Sequence, residues 1–138
     1  MKAHQVKTLV VGVVAAHSIT LGAAMLFWPV QTMSLFGWEY RGQTFFPSQA
    51  GVFLLLLGVA YAIGAKQRAF ARFLVGSKAV AVVFLIGQYL QGAAPNMVLL
   101  AAAGDGMMGL AVAAALIWED RSRRARQARL QDDRTGST

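Results

Sequence analysis

Long apolar runs alternate with short polar segments along this chain, and the pattern predicts four membrane-spanning helices. A helix of about 20 apolar residues crosses the roughly 30 Å hydrocarbon core of a bilayer. The separating segments are basic or rich in Gly and Pro, which indicates short connections between helices. We therefore expect an all-α, polytopic membrane protein folded as an antiparallel bundle of four transmembrane helices. The predicted spans are residues 8–28, 48–65, 73–90 and 97–118.

The first run has a second interpretation, as a cleaved signal peptide. A short basic stretch precedes it, and residues 21–24 (Leu-Gly-Ala-Ala) are compatible with a cleavage site. The uncharged run is longer than a usual signal-peptide core and ends at Phe27-Trp28-Pro29, where aromatic rings suit the membrane interface and proline ends a helix. The pattern therefore favours a retained first helix.

The longest connection, residues 29–47, is rich in aromatic side chains, which prefer the headgroup level of a bilayer. We expect it to lie on the membrane surface, with a short helix over residues 30–36. It is interpreted as an aromatic belt rather than as a lid over a cavity, and Tyr61 is likewise interpreted as an interfacial anchor. The ring-bearing residues of the connection are Phe36, Trp38, Tyr40, Phe45 and Phe46.

The amino-acid composition supports a membrane protein and argues against a soluble domain. Of the 138 residues, 57% are hydrophobic and only 14% are charged, whereas charged residues approach a quarter of an ordinary soluble domain. The net charge of +7 does not indicate nucleic-acid binding, because the basic tail contains no recognised nucleic-acid motif. The absence of cysteine excludes disulfides, thiolate nucleophiles and Cys metal sites. No HExxH, GxSxG or phosphate-loop motif occurs, so we expect no enzymatic activity, metal or cofactor.

Charge distribution predicts the orientation of the spans. With a cytoplasmic N-terminus, every Lys and Arg outside the apolar runs except Arg41 lies on the cytoplasmic side, as the positive-inside rule requires. Both termini are then in the cytoplasm, and we expect a bacterial inner membrane. Residues 119–138 form a basic tail, helical at first because Glu119 precedes Arg123 by four residues, and disordered from Gln131. Its arginines provide the topology signal or bind anionic lipid headgroups: Arg121, Arg123, Arg124, Arg126 and Arg129.

Two charges interrupt the apolar runs, Lys78 in the third and Asp105 in the fourth. A charge inside the membrane is costly, so the two residues are candidates for a buried ion pair. His17, near the midpoint of the first run, is the third buried polar candidate. Three interpretations of this set stay open: a structural ion pair, a proton-linked site, and His17 as a ligand to haem or another cofactor. The pattern favours the structural pair.

Small residues predict where helices approach each other closely. Ala60 and Gly64 form a small-xxx-small pair in the second span, and Gly58 lies on the same apolar run. Gly104 and Gly106 flank Asp105, and we expect them to let the third and fourth helices pack closely around the ion pair.

Several positions resemble the small four-helix membrane proteins of the bacterial DoxX-like group. They are Phe46-Pro47, Gly51, Gly58 and Tyr61 at the second span, Gly76-Ser77-Lys78 in the third, and Asp105 in the fourth. The resemblance covers most of residues 34–118 and implies an antiparallel four-helix bundle, generally of unknown activity. More distant relatives perform quinone-linked thiol chemistry through cysteine pairs, which this chain lacks.

The sequence-based function hypothesis is an accessory or scaffold subunit. Helices rich in Gly and Ala, a minimal polar portion and an arginine tail suit packing against other membrane subunits or against further copies of the chain. The alternative is a small-molecule or proton-coupled carrier that uses His17, Lys78 and Asp105. A scaffold would tolerate apolar replacement of Lys78 and Asp105 together, whereas a carrier would not.

Overall fold

The computed structural model describes residues 2–38 and 43–135, except the side chains of residues 133–135, and the regular structure in these ranges is helical. Tyr40 and Arg41, which entered the predictions above, lie outside the described residues. Five helices follow one another along the chain: α1 (Ala3–Phe27), α2 (Pro29–Leu35), α3 (Phe45–Gly64), α4 (Arg68–Leu90) and α5 (Met97–Thr135).

Four of these helices, α1, α3, α4 and α5, are long and apolar enough to cross a membrane. Helices α4 and α5 contain the spans predicted for them, and α1 and α3 cover all but the last residue of theirs, ending at Phe27 and Gly64. Large apolar side chains also cover the outside of the molecule; Ile63, Val83 and Leu110 each expose more than 70% of their surface. A water-soluble monomer rarely exposes contiguous apolar surface on this scale. The structure is therefore compatible with a small integral membrane protein.

Local sequence explains the break between α1 and α2. Pro29 occupies the first position of α2, where its missing N–H group costs nothing and its fixed φ angle suits a helix. Trp28 leaves the helical conformation between them, with φ −132° and ψ 57°. The short helix predicted over residues 30–36 is confirmed as α2. Gly37 follows it with φ +81°, a conformation that favours glycine.

The helical tail extends further than its composition indicated. Helix α5 runs without interruption from Met97 to Thr135, so the expectation of disorder from Gln131 does not hold for residues 131–135. The pairs Glu119–Arg123 and Asp120–Arg124, each four residues apart with the acidic residue first, favour an exposed helix at the start of this segment, and the helix continues beyond them. The last three residues lie outside the described part of the chain.

Helix α1 packs chiefly against α3, and α4 packs chiefly against α5, while contacts between α1 and α5 join the two pairs. The contacting residues run in opposite order along α1 and α3: Leu26 lies near Gly51, and Ile19 lies near Gly58. The same is true of α4 and α5, where Lys78 lies near Gly109 and Val82 lies near Gly106. The buried core lies among α1, α3, α4 and α5 and includes Val11, Val14, Ala15, Tyr61, Leu74, Val112 and Leu116.

Backbones of α1 and α3 meet at three glycines. A Cβ atom added to Gly22 would lie 2.5 Å from the backbone nitrogen of Leu55, and one added to Gly51 would lie 2.7 Å from that of Leu26. One added to Gly58 would lie 2.8 Å from the nitrogen of Ile19. Real Cβ atoms do not approach so closely, so glycine is required at this interface.

The expected roles of the other small residues are corrected in part. A Cβ atom on Gly104 would meet nothing within 4 Å, and one on Gly106 would meet only a methyl group of Val82 at 3.8 Å. These two glycines therefore do not lie where α4 and α5 approach each other most closely, and they do not bring the two backbones into contact. Gly64 instead abuts the ring of Phe70 at the start of α4, and Ala60 is half-buried.

Candidate functional site

Lys78 and Asp105 meet between α4 and α5. The ammonium Nζ of Lys78 donates a hydrogen bond to Oδ1 of Asp105 at 2.5 Å. The two side chains expose 8% and 20% of their surface. Gly109, one turn after Asp105, makes room for the lysine stem, since a Cβ atom there would lie 3.2 Å from Cβ of Lys78. The close approach that we expected from Gly104 and Gly106 is thus made at Gly109.

This pair borders a cleft of about 400 Å³ that all five helices help to line. We call it the central cleft. Helix α1 contributes His17, and α2 with its following residues contributes Met33, Phe36 and Trp38. Lys78, Asp105 and His17 are its ionisable groups, and the remaining walls are largely apolar. Those other lining residues are Leu21, Met25, Leu54, Leu85, Val98, Leu100, Ala101, Gly104 and Met108.

The ion pair keeps unused hydrogen-bonding capacity at the wall of the cleft. A lysine ammonium has three donors, and a carboxylate can accept several bonds on its two oxygens. Among the described residues, the one hydrogen bond of either charged group is the bond between Lys78 Nζ and Asp105 Oδ1. Further donors on Nζ and the acceptor Oδ2 therefore have no hydrogen-bond partner among the described residues.

His17 lies at the cleft wall but does not join the pair. Its side chain is exposed, and within the described ranges no hydrogen bond or ion pair involves it. Those ranges also contain no group of three or more His, Cys, Asp or Glu side chains arranged to hold a metal ion. His17 therefore lines the same cavity as Lys78 and Asp105 but forms no hydrogen bond or ion pair with either.

Tyr61 is not an interfacial anchor, because it is 1% exposed and lies in the core. Its hydroxyl is hydrogen-bonded to the hydroxyl of Ser77 on α4, and Ser77 in turn donates to the carbonyl of Leu74 at 2.9 Å. The position of Tyr61 near the end of an apolar run suggested the interface. Nothing in the spacing of the sequence indicated its pairing with Ser77.

A second ionic cluster, which the sequence analysis missed, lies where α1 begins and the apolar part of α5 ends. Lys7 is fully buried, with Nζ 3.2 Å from Oε2 of Glu119 and 3.0 Å from the carbonyl oxygen of Lys66. Arg123 donates to Oε1 of Glu119 at 2.8 Å, the pair expected from their spacing. Nδ1 of His4 lies 3.6 Å from Oε1 of Glu119.

Asp120 adds a further link between the helices. It pairs with Arg68 at the start of α4, so that α4 and α5 are joined by ion pairs at two levels. The two acidic residues directly after Trp118, Glu119 and Asp120, therefore both pair with residues of other helices. The sequence offered one indication of these pairs. Both acidic residues directly follow one apolar run, and basic residues directly precede other apolar runs.

No family model, curated protein or solved structure matches this chain. The resemblance to the DoxX-like group accordingly remains a prediction from the sequence.

Proposed function

We propose that this chain is a small integral protein of a bacterial inner membrane, with four helices in an antiparallel bundle and both termini in the cytoplasm. The distribution of basic residues supports this orientation. The opposite order of contacts along α1 and α3, and along α4 and α5, supports the bundle. Membership of the DoxX-like group is part of the proposal, supported by the position of Tyr61, Ser77, Lys78 and Asp105 on facing helices.

Within that architecture, the function that the geometry supports best is binding of a small, largely apolar molecule, as in a carrier. The observation that carries this proposal is the central cleft of about 400 Å³ with Lys78, Asp105 and His17 on its walls. Ligand sites typically have volumes of roughly 300–1,000 Å³, apolar walls and a few convergent polar groups. A single chain thus contains a cavity of the size and lining typical of a ligand site.

The charges of the cleft define the class of ligand. Lys78 and Asp105 balance each other, so a ligand with a net charge would add an unpaired charge at a poorly solvated site. A neutral molecule with hydrogen-bonding groups at one end avoids that cost. Its polar end would bond to the free donors of Lys78, to Oδ2 of Asp105 or to His17. Its apolar body would contact Met33, Phe36 and Trp38 and the aliphatic side chains of the cleft. We propose this binding role without a catalytic step.

Apolar replacement of the whole ion pair tests the proposal. The double variant Lys78→Met/Asp105→Val leaves no unpaired charge in the bundle, so the protein should still fold. The polar end of the ligand, however, loses its hydrogen-bonding partners. We expect organic extracts of the purified wild-type protein to contain a retained small molecule in mass spectrometry, and the double variant to lose it. The matched control is Arg68→Met/Asp120→Val, which removes the other α4–α5 ion pair and should keep the molecule. Equal retention in both double variants would contradict the proposal.

A second candidate function is the accessory subunit favoured by the sequence. The observation in its favour is the broad apolar surface of α4, where Val80, Val83 and Phe84 are largely exposed and Gly76 has open space around it. Such a surface suits lipid or a neighbouring helix. Mild solubilisation followed by protein mass spectrometry tests it: a stoichiometric partner supports the subunit, and a homogeneous chain contradicts it.

A further inference from the structure

A second hollow lies away from the central cleft, between the first turn of α1 and the polar part of α5. Its volume is about 390 Å³. We call it the basic pocket, because three of the side chains around it are cationic: Lys2, Arg123 and Arg126. The other lining residues are Ala3, His4, Glu119, Ser122 and Gln127.

The one acidic side chain that lines the pocket is already neutralised. Oε2 of Glu119 lies 3.2 Å from Lys7 Nζ, and Oε1 accepts the hydrogen bond from Arg123. Lys2 and Arg126 have no such acidic partner among the described residues. The pocket therefore carries an excess of positive charge that an anion would balance.

Neutral donors complete the wall. Ser122 and Gln127 offer a hydroxyl and a side-chain amide. The N–H groups of Ala3 and His4, in the first turn of α1, have no acceptor within the helix, and that turn contains no acidic residue. Guanidinium, ammonium, hydroxyl and amide donors around one hollow match a phosphate group, whose oxygens accept several charge-assisted hydrogen bonds.

Location indicates where the phosphate would come from. Ser122 and Arg126 lie four and eight residues beyond Trp118, roughly 6–12 Å along the helix axis. A bilayer is about 40–45 Å thick with a hydrocarbon core of about 30 Å, so the headgroup layer on each side is about 5–8 Å thick. If the apolar part of α5 spans the core, the basic pocket opens at the level of the headgroup layer and just beyond it.

We propose that the basic pocket binds the phosphomonoester headgroup of an anionic lipid of the phosphatidic acid type. The charge excess favours a phosphate carrying close to two negative charges over the singly charged diester of common phospholipids. This assigns a defined site to Arg126, with Lys2, Ser122 and Arg123, and distinguishes it from the general attraction of an arginine-rich tail for an anionic surface.

Two arginines of α5 provide a matched comparison. Arg126 lines the pocket, and Arg129, one turn later on the same exposed helix segment, does not. Arg126→Gln and Arg129→Gln remove the same charge from the same segment. A general electrostatic effect would weaken lipid binding equally in both variants, whereas a defined pocket would be sensitive to Arg126 alone.

The test is native mass spectrometry of the full chain in a neutral detergent, titrated with dioctanoyl phosphatidic acid. We expect one bound lipid, binding about tenfold weaker in Arg126→Gln, which corresponds to loss of one charge-assisted hydrogen bond, and Arg129→Gln close to wild type. Dioctanoyl phosphatidylcholine should bind at least tenfold more weakly, since it lacks the monoester charge. Both arginines are exposed, so melting temperatures of the two variants should match that of the wild type.

Competition with inorganic phosphate distinguishes a lipid headgroup from free phosphate as the source of the bound phosphate group. Competition by phosphate at millimolar concentration would support a pocket that holds the phosphate group itself, from lipid or from solution. Lipid binding without such competition would support a site that requires the lipid. Equal weakening in Arg126→Gln and Arg129→Gln, equal binding of phosphatidylcholine, or no binding of either phosphate source would overturn the proposal.

Discussion

Lys7 Nζ lies 3.2 Å from Oε2 of Glu119, and these side chains expose 0% and 3% of their surface. The pair joins the start of α1 to the end of the apolar part of α5. The carbonyl oxygen of Lys66, in the connection between α3 and α4, accepts a hydrogen bond from Lys7 Nζ at 3.0 Å. One buried ammonium group thus ties together three parts of the chain that are distant in sequence.

Replacing Lys7 by Met should destabilise the protein strongly. The change leaves Glu119 buried with Arg123 as its remaining close cationic partner, and breaking a buried pair typically costs about 3–5 kcal/mol. Lys2→Met removes the same charge from an exposed position five residues earlier and should change the free energy of unfolding little. Thermal denaturation in detergent measures both variants. Equal melting temperatures would show that the Lys7–Glu119 pair does not stabilise the fold.

Gly58→Ala should destabilise the protein, although alanine is the better helix former. The added methyl group would lie 2.8 Å from the backbone nitrogen of Ile19 and 3.0 Å from the carbonyl oxygen of Ala15, so α1 and α3 must separate. Overpacking of this kind costs typically about 1–3 kcal/mol.

Gly12→Ala is the control for that change. A Cβ atom at Gly12 meets nothing within 4 Å, so the gain in helix propensity of up to about 1 kcal/mol is not offset. We expect the melting temperature to fall for Gly58→Ala and to stay level or rise for Gly12→Ala. The same response in both variants would disprove the close contact of α1 with α3.

Tyr61→Phe should cost about 0.5–1.5 kcal/mol, the usual net contribution of one hydrogen bond. The ring stays in the core, but the bond between its hydroxyl and Ser77 is lost. Tyr89→Phe, near the end of α4, is the matched control at a half-buried position and should have a smaller effect. Denaturation midpoints measure the difference; a larger loss for Tyr89→Phe would contradict the role given to Tyr61.

The number and place of the apolar helices could be predicted because the length and composition of a run directly determine whether it can cross a bilayer. The candidates Lys78 and Asp105 stood out as the only charges inside such runs. Helix partners could not be predicted in the same way. Glycines occur in every apolar run, and nothing in their spacing distinguishes Gly58, which contacts another backbone, from Gly104, which borders open space.

Lys7 was missed for a related reason. A lysine at the edge of an apolar run is the ordinary signal of membrane topology, and the sequence does not indicate that it turns inward to Glu119. The central cleft was also beyond prediction, because its walls come from all five helices. Their juxtaposition depends on packing rather than on local pattern.

The most direct test of ligand binding in the central cleft is to fill it. Gly104 lines the cleft, and a Cβ atom there meets nothing within 4 Å, so Gly104→Leu should occupy the cavity without forcing helices apart. Gly76→Leu is matched, since Gly76 has equally open surroundings on α4 and does not line the cleft. Mass spectrometry of organic extracts should find the retained small molecule in wild type and Gly76→Leu and not in Gly104→Leu. Undiminished retention in a folded Gly104→Leu protein would contradict a ligand site in the central cleft.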